Sequence, residues 1–372
     1  MANFSLTNHA IGMVYPGNIM QVDDTGLPSL LVFIPKFKNS DVLNGGDDST
    51  HPAFIVNGQE IPGFYYSKFQ NRVYDGVAYS LPGEDPTVAI SLDTAMERCE
   101  AKGNGWHLST AAEWAAIALW CKKNGFLPLG NNYYGRDYYE DGYRATPTTY
   151  GSDGRPNRVR TGTGPLSWSH DKTMSGIWDL NGNVHEIQSG LRIVWGELQI
   201  LAHNDAADPD NPQNDTSTLW RAINAADGSL VEPVCKTTDS APNTSGSTVR
   251  VDYYNEAWRF RRGYTSAIDT PKADAFGTTV CEALGDATKV LLRALALIPD
   301  EGEEDTQYET SAHYDKDLVH FGARSAENFI MRGGCFNSSY GSGLFYINVT
   351  PRSGANAYRG FRCAYIPEIA QA

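Results

Sequence analysis

Three observations predict an α+β fold. Two capped, amphipathic helical patterns follow one another between residues 91 and 125, a long aromatic and glycine-rich remainder follows them, and Asn-Gly turns sit between alternating apolar and polar residues. The 372 residues, 41% hydrophobic and 11% aromatic, suffice for a packed core in one large or two ordinary domains.

The first fifty residues contain a strand-like run, SLLVFIPKF (29–37), and then the turn-rich NGGDDST (44–50). Residues 1–50 read either as an N-terminal extension carrying an edge strand or as a small attachment segment. The main domain is expected over 51–372. In FIVNGQEIPGFYYSKFQN (54–71), alternation around Asn57-Gly58 predicts a β-hairpin. SLDTAMERCEAKGNG (91–105) opens on a cap and places Ala95, Met96 and Cys99 at helical spacing before a glycine stop. HLSTAAEWAAIALWCKKNG (107–125) predicts a second helix, with Ser109 or Thr110 as cap, Trp114, Ile117, Ala118 and Cys121 on one face, and Lys122 and Lys123 in the last turn.

Residues 131–164 are rich in Gly, Asp and Tyr without periodicity and are expected as long ordered loops. SGIWDLNGNVHEIQSGLRIVWGEL (175–198) predicts two strands around Asn181-Gly182-Asn183. The span of about 203–328 reads as a long insertion, loop-like except for a helix in ATKVLLRALAL (287–297), with an acidic turn at PDEGEED (299–305).

The net charge of -14 argues against a nucleic-acid binder, which needs clustered Lys and Arg to neutralise phosphates. No run of eighteen apolar residues exists, and residues 1–18 lack both a basic start and a continuous apolar stretch, so neither membrane insertion nor a signal peptide is indicated. The chain is expected to be made in a cytoplasm and to leave it by lysis or on a particle. Six widely spaced cysteines without C-x-x-C pairs do not suggest zinc, and the default expectation is six free, mostly buried thiols, with one bridge as the alternative after release into an oxidising medium.

The most informative stretch is RGGCFNSSYGSGLFYINVTPRSGANAYRGFRCAYIP (332–367). Between Cys335 and Arg359 it is mostly Tyr, Ser, Gly and Asn, the composition of antibody combining loops. It lacks Lys, Glu, Gln, Met and Trp, which at this chain's composition is expected in roughly 1% of windows of that length. A codon that ends in a pyrimidine, with its first two bases free, encodes every amino acid except those five and never a stop. Codon-level randomisation of an Asn-type triplet would leave this signature. Carboxylates are also absent, so Arg332, Arg352, Arg359 and Arg362 carry all its charge. Arg332 and Arg362 are expected to brace the fold through backbone carbonyls, Arg352 and Arg359 to be exposed.

No P-loop, dinucleotide fingerprint, H-E-x-x-H or G-x-S-x-G is present, and lone histidines such as His107 and His185 read as structural. Asp153, Asp171, Asp179 and Glu186 are the candidate ligands of a structural calcium; no other cofactor is expected.

The ordered set HLSTAAEW (107–114), GIWDLNGNVHE (176–186), RGGCF (332–336) and GFRCA (360–364) resembles the C-type lectin-like fold of the formylglycine-generating-enzyme (sulfatase-modifying factor) type, here with the long insertion between the second and third motifs. That resemblance implies that Trp114, Trp178 and Phe361 anchor the core. Enzyme members hold copper on two cysteines soon after the GG pair; Ser338 and Gly343 stand there in this chain, and neither replaces a thiolate. The chain is more similar to the other branch, the variable proteins of diversity-generating retroelements in phage tails and on bacterial surfaces. These carry a hypervariable segment between RGG and GFR, and their adenine-directed mutagenesis yields the pyrimidine-ending set.

The resemblance implies a non-catalytic protein of a virion or cell surface. Its segment 335–359 would bind an unknown protein or glycan on a target cell through Phe336, Asn337, Ser339, Tyr340, Ser342, Tyr346, Asn348, Ser353, Asn356 and Tyr358. Leu344 and Val349 are expected to be buried. The alternatives are a formylglycine-generating-enzyme-like oxidoreductase and a structural phage-tail component.

Overall fold

The computed structural model describes residues 6–263, 272–303, 314, 316–322, 325–367 and 369. The fold is mixed α/β, mostly sheet with few helices. A five-stranded antiparallel sheet has the order Ile19–Val22, Pro28–Pro35, Gly63–Ser67, Cys363–Tyr365, Trp106–Leu108. The last strand of the chain lies between two early ones, so both ends of the sequence are tied into one sheet. The larger sheet runs Val280–Glu282, Ala257–Arg262, Val249–Tyr254, Glu197–Ile200, His185–Val194, Asn328–Arg332, Asn348–Thr350, and Arg359–Gly360 pairs parallel with His185–Val194.

Local signals account for the helices. Thr110 caps helix Ala111–Lys123 by accepting from the Glu113 amide, and Glu113 reciprocates, a capping box that satisfies two otherwise unpaired N–H groups. This helix is buried on nearly every side, Trp114, Ile117, Ala118 and Cys121 included, because both sheets and the N-terminal segment close around it. Helix Leu92–Glu100 starts at Ser91, whose hydroxyl accepts from Thr94, and buries Leu92, Ala95 and Cys99. Within 203–328, helix Asp286–Ala294 stops before the expected Leu297, because Ala296 turns to φ 49°. Arg332 donates to the Leu295 and Ala296 carbonyls just past that helix, placing a cation at its negative end. The expected apolar anchors Trp114, Trp178 and Phe361 are all buried.

The Asn57-Gly58 hairpin forms as expected, with both residues at positive φ and Ile55–Val56 paired to Gln59–Glu60. Residues 131–164 contain no helix or extended strand. Helix Leu6–Val14 and strand Ile19–Val22 are additions to the expected elements.

Three expectations are corrected. Asn181-Gly182-Asn183 does not join two strands; the hairpin turn is Trp195-Gly196, between His185–Val194 and Glu197–Ile200. The earlier turn is instead a buried polar junction: Gln70 Nε2 donates to the Asp179, Gly182 and Val184 carbonyls, and Asn183 bonds Gln70 and Val159. The described residues of 203–328 are not loop-like, because Val249–Tyr254 and Ala257–Arg262 form a hairpin that widens the large sheet, with Val249, Val251, Trp258 and Phe260 turned into the core. The end of the expected acidic turn, 304–305, lies outside the described residues. Cys99 and Cys363 are joined as a disulfide with Cα atoms 5.7 Å apart, so the six thiols are not all free. Among the described residues no helix is long and apolar enough to cross a membrane.

Candidate recognition face

The segment from Gly333 to Arg359 leaves the large sheet after Asn328–Arg332, rejoins it at Asn348–Thr350 alongside that strand, and pairs again at Arg359–Gly360 beside His185–Glu186. Gly333 and Gly334 take φ of 81° and 73°, a conformation that disfavours other residues, and the Gly333 carbonyl receives the Gly182 amide at 2.7 Å. Main-chain atoms on the segment make a series of contacts with the scaffold. Tyr134 N donates to Phe336 O, Ser339 N to Asn132 O, Leu92 N to Arg352 O and Ala89 N to Asn356 O. Trp114 Nε1, on the central helix, donates to Leu344 O at 2.8 Å.

The expected binding residues divide into three groups. Asn337, Tyr340, Ser353, Asn356 and Tyr358 are at least partly exposed, Tyr340 by 41% and Tyr358 by 38%. Ser339, Tyr346 and Asn348 are partly covered: the Tyr346 ring stacks on His185 with centroids 5.4 Å apart, and its hydroxyl accepts from Asn348. Phe336 and Ser342, expected to face outward, are buried at 5% and 1%. The Phe336 ring is packed between Tyr134 and Tyr358, and Ser342 Oγ donates to Gly333 O at 2.6 Å to hold the glycine turn. Leu344 is buried as expected. Val349 is half-buried against the core, and Phe345 and Ile347 are buried too, because 342–347 is a tightly packed turn without strand alternation.

The structure adds residues that the sequence places only in loops. Tyr138 and Tyr139 are exposed, and the Tyr138 ring meets Tyr133, Tyr139 and Tyr340 edge-to-face at 5.3, 5.3 and 5.7 Å. Guanidinium groups lie over two rings of this loop: Arg155 is 3.6 Å from the Tyr134 ring centroid and Arg136 4.7 Å from that of Tyr133. The tyrosine density of NNYYGRDYYEDGYR (131–144) was the available signal. A cavity of about 390 Å³ beside Tyr346 is lined by His320, Ser338, Asn348, Leu318 and Ile347. A larger one, about 530 Å³, lies between the N-terminal strands and the central helix and shares no lining residue with 335–359.

The four arginines behave differently from one another. Arg362 is buried and binds both oxygens of Glu186 at 2.7 and 2.8 Å as well as the Ser67 and Trp178 carbonyls, and Arg332 is likewise buried on the Leu295 and Ala296 carbonyls, so both bond backbone carbonyls as expected. Burial pushes Arg332 down to about 9. Arg352, expected to be exposed, is instead held by Asp93, Glu327 and the Gln213 carbonyl. Arg359 alone of the four is partly exposed with no carboxylate among the described residues paired to its guanidinium.

No protein-family profile matches the chain, and no curated protein matches it in sequence. Among solved structures, PvdO from Pseudomonas aeruginosa aligns at 12% identity over 91% of this chain and 94% of its own, with a TM-score of 0.34. A Major Tropism Determinant P3c variant aligns at 9% identity over 94% of this chain and 71% of its own, with a TM-score of 0.28. Likenesses this slight leave function to be read from the residues themselves.

The candidate calcium ligands do not converge. Asp153 pairs with Arg155, Asp171 accepts from Ser169 and Thr173 in a tight turn, Asp179 accepts from the Gly162 amide, and Glu186 is taken by Arg362. Burial raises Asp179 to about 6. Among the described residues no cluster of three His, Cys, Asp or Glu side chains is placed to hold a metal ion. At the position of the first copper thiolate, Ser338 Oγ accepts the Cys335 amide; at the second, Gly343 lies so close to the Asp317 carboxylate that a Cβ has no room.

Proposed function

We propose that this chain is a non-catalytic recognition protein of C-type lectin-like fold, of the kind diversified by a retroelement, which presents 335–359 to a protein or glycan on a target cell. The observation that carries this reading is the division of labour within the segment. Its backbone carbonyls and amides bind the scaffold, while Asn337, Tyr340, Ser353, Asn356 and Tyr358 point outward. The main-chain bonds to the scaffold do not run through those side chains, which make contacts within the face: Tyr340 meets Tyr138, Tyr358 covers Phe336, and Asn356 accepts the Tyr358 amide. Tyrosine, serine and asparagine there combine large rigid contact area with adaptable hydrogen bonds. Display on a phage tail or a cell surface follows from the same reading.

The oxidoreductase alternative lacks the two thiolates that bind copper, which supports recognition over catalysis. The experiment is adsorption of fluorescently labelled protein to bacterial cells. Replacing Tyr340 and Tyr358 by alanine should abolish adsorption with the melting temperature unchanged. Undiminished adsorption would leave a structural role as the better account.

A further inference from the structure

Arg359 lies within the recognition face, opens the short strand that returns to the sheet after Tyr358, and is register partner to His185. Its guanidinium makes no hydrogen bond or salt bridge with any described residue, and its Nε is buried without a partner. Nothing in 332–367 can neutralise it, because that stretch holds no carboxylate up to Pro367. The nearest acid in register, Glu186 opposite Gly360, is fully used by Arg362. Beside it His185 is more than nine-tenths buried, its Nδ1 also has no partner, and burial and the neighbouring guanidinium hold its ring neutral, at about 3. Gly354 supplies room: a Cβ there would collide with Arg359 Nη1.

A half-desolvated guanidinium without any acceptor is costly, whereas every nitrogen of Arg352 and Arg362 is bonded, and Arg332, though its Nε and Nη1 are buried without a partner, donates through Nη2 to two carbonyls. The planar fork of Arg is suited to a carboxylate, which it binds through two parallel hydrogen bonds. We propose that Arg359 receives an aspartate or glutamate side chain of a protein partner, so that the face selects partners presenting an acidic residue among groups that cover the tyrosines. A protein is favoured over an acidic sugar because Arg359 does not line the cavity beside Tyr346, and the exposed rings of Tyr138, Tyr139, Tyr340 and Tyr358 come from two segments, as a broad contact needs. This inference rests on the recognition reading above.

The test is nitrogen-15 NMR of the arginine side chains in the intact chain, titrated with acetate as the side-chain carboxylate, with N-acetylneuraminate as an acidic sugar, and with N-acetylglucosamine as a neutral control. R359Q assigns the resonance. Acetate should shift the Arg359 signal saturably while Arg160, already bonded to the Gly83 carbonyl, barely responds. R359K should weaken the acetate affinity, read from tryptophan fluorescence, by roughly tenfold or more. An Arg359 signal that moves no more than that of Arg160 overturns the proposal. N-acetylneuraminate binding more than about tenfold tighter than acetate overturns the assignment to a protein acid. Neither result depends on Tyr340 and Tyr358, so failure here is distinguishable from failure of the recognition reading.

Discussion

The ring of Tyr138 packs edge-on against that of Tyr340, with centroids 5.7 Å apart and planes at 70°. Two regions far apart in the sequence thus form one aromatic surface, one within 131–164 and the other within the segment read as variable. Y138A should therefore weaken cell adsorption about as much as Y340A, each by roughly tenfold, as expected when a central aromatic contact is truncated. The double variant should lose less than the product of the two. Tyr74, also exposed but outside both of these segments, serves as the control whose replacement by alanine leaves adsorption unchanged.

Ser342 separates composition from role. Its hydroxyl is committed to the Gly333 carbonyl, so S342A should cost about 1 kcal/mol in urea unfolding and leave adsorption intact. Lost adsorption at unchanged stability would return Ser342 to the binding set.

Arg362 and Glu186 form a buried bidentate pair from which either partner alone would be left as an uncompensated charge. R362Q should destabilise by about 3–5 kcal/mol in the same assay. A loss under about 1 kcal/mol would mean that the pair does not anchor the returning strand.

Acid should unfold the protein through its buried histidines. Burial lowers His51 and His170 to about 4 and His185 to about 3, and in His51 and His170 the Nδ1 atom accepts a backbone amide, which protonation would break. Their stabilisation is present above the unfolded-state value near 6.5 and is lost as pH falls from there toward about 4 and 3. By about pH 4.5 each fully buried ring has cost on the order of 2–3 kcal/mol of stability. Asp179 acts in the opposite sense: its raised value of about 6 makes stability grow as pH falls from 6 toward the ordinary carboxylate range, a partial offset. Melting temperatures at about pH 7 and about pH 4.5 should differ by many degrees, with H51Q narrowing the gap.

The Cys99–Cys363 bond ties the helix that follows the contacts to Arg352 and Asn356 to the strand that ends the face. In oxidised protein, alkylated peptides carrying Cys99 and Cys363 should appear only after reduction, and C363A should cost about 2–5 kcal/mol. Quantitative alkylation of both without reductant would contradict the bond.

Elements set by neighbours in sequence are legible in the chain alone: Thr110 with Glu113, Asn57-Gly58, and the Ser91 cap each carry their signal within four residues. What the sequence hides depends on distant partners. Cys99 finds Cys363 across 264 residues, and no spacing rule encodes that. The Val249–Arg262 hairpin turns at Asn255-Glu256, which lacks the usual glycine, so no turn signal marks its alternation. Ser342 and Phe336 have the composition of a binding loop but are used for packing. Tyr138 sits in a stretch without periodicity, and its contact with Tyr340 exists only in three dimensions.

The central claim is that 335–359 is a replaceable surface on a fixed frame, and deep sequencing of this gene across a natural population tests it most directly. Substitutions should concentrate at Asn337, Tyr340, Ser353, Asn356 and Tyr358, in pyrimidine-ending codons, with Gly333, Gly334, Ser342 and Arg362 constant. Variation spread evenly along the chain, or none between Cys335 and Arg359, would contradict it.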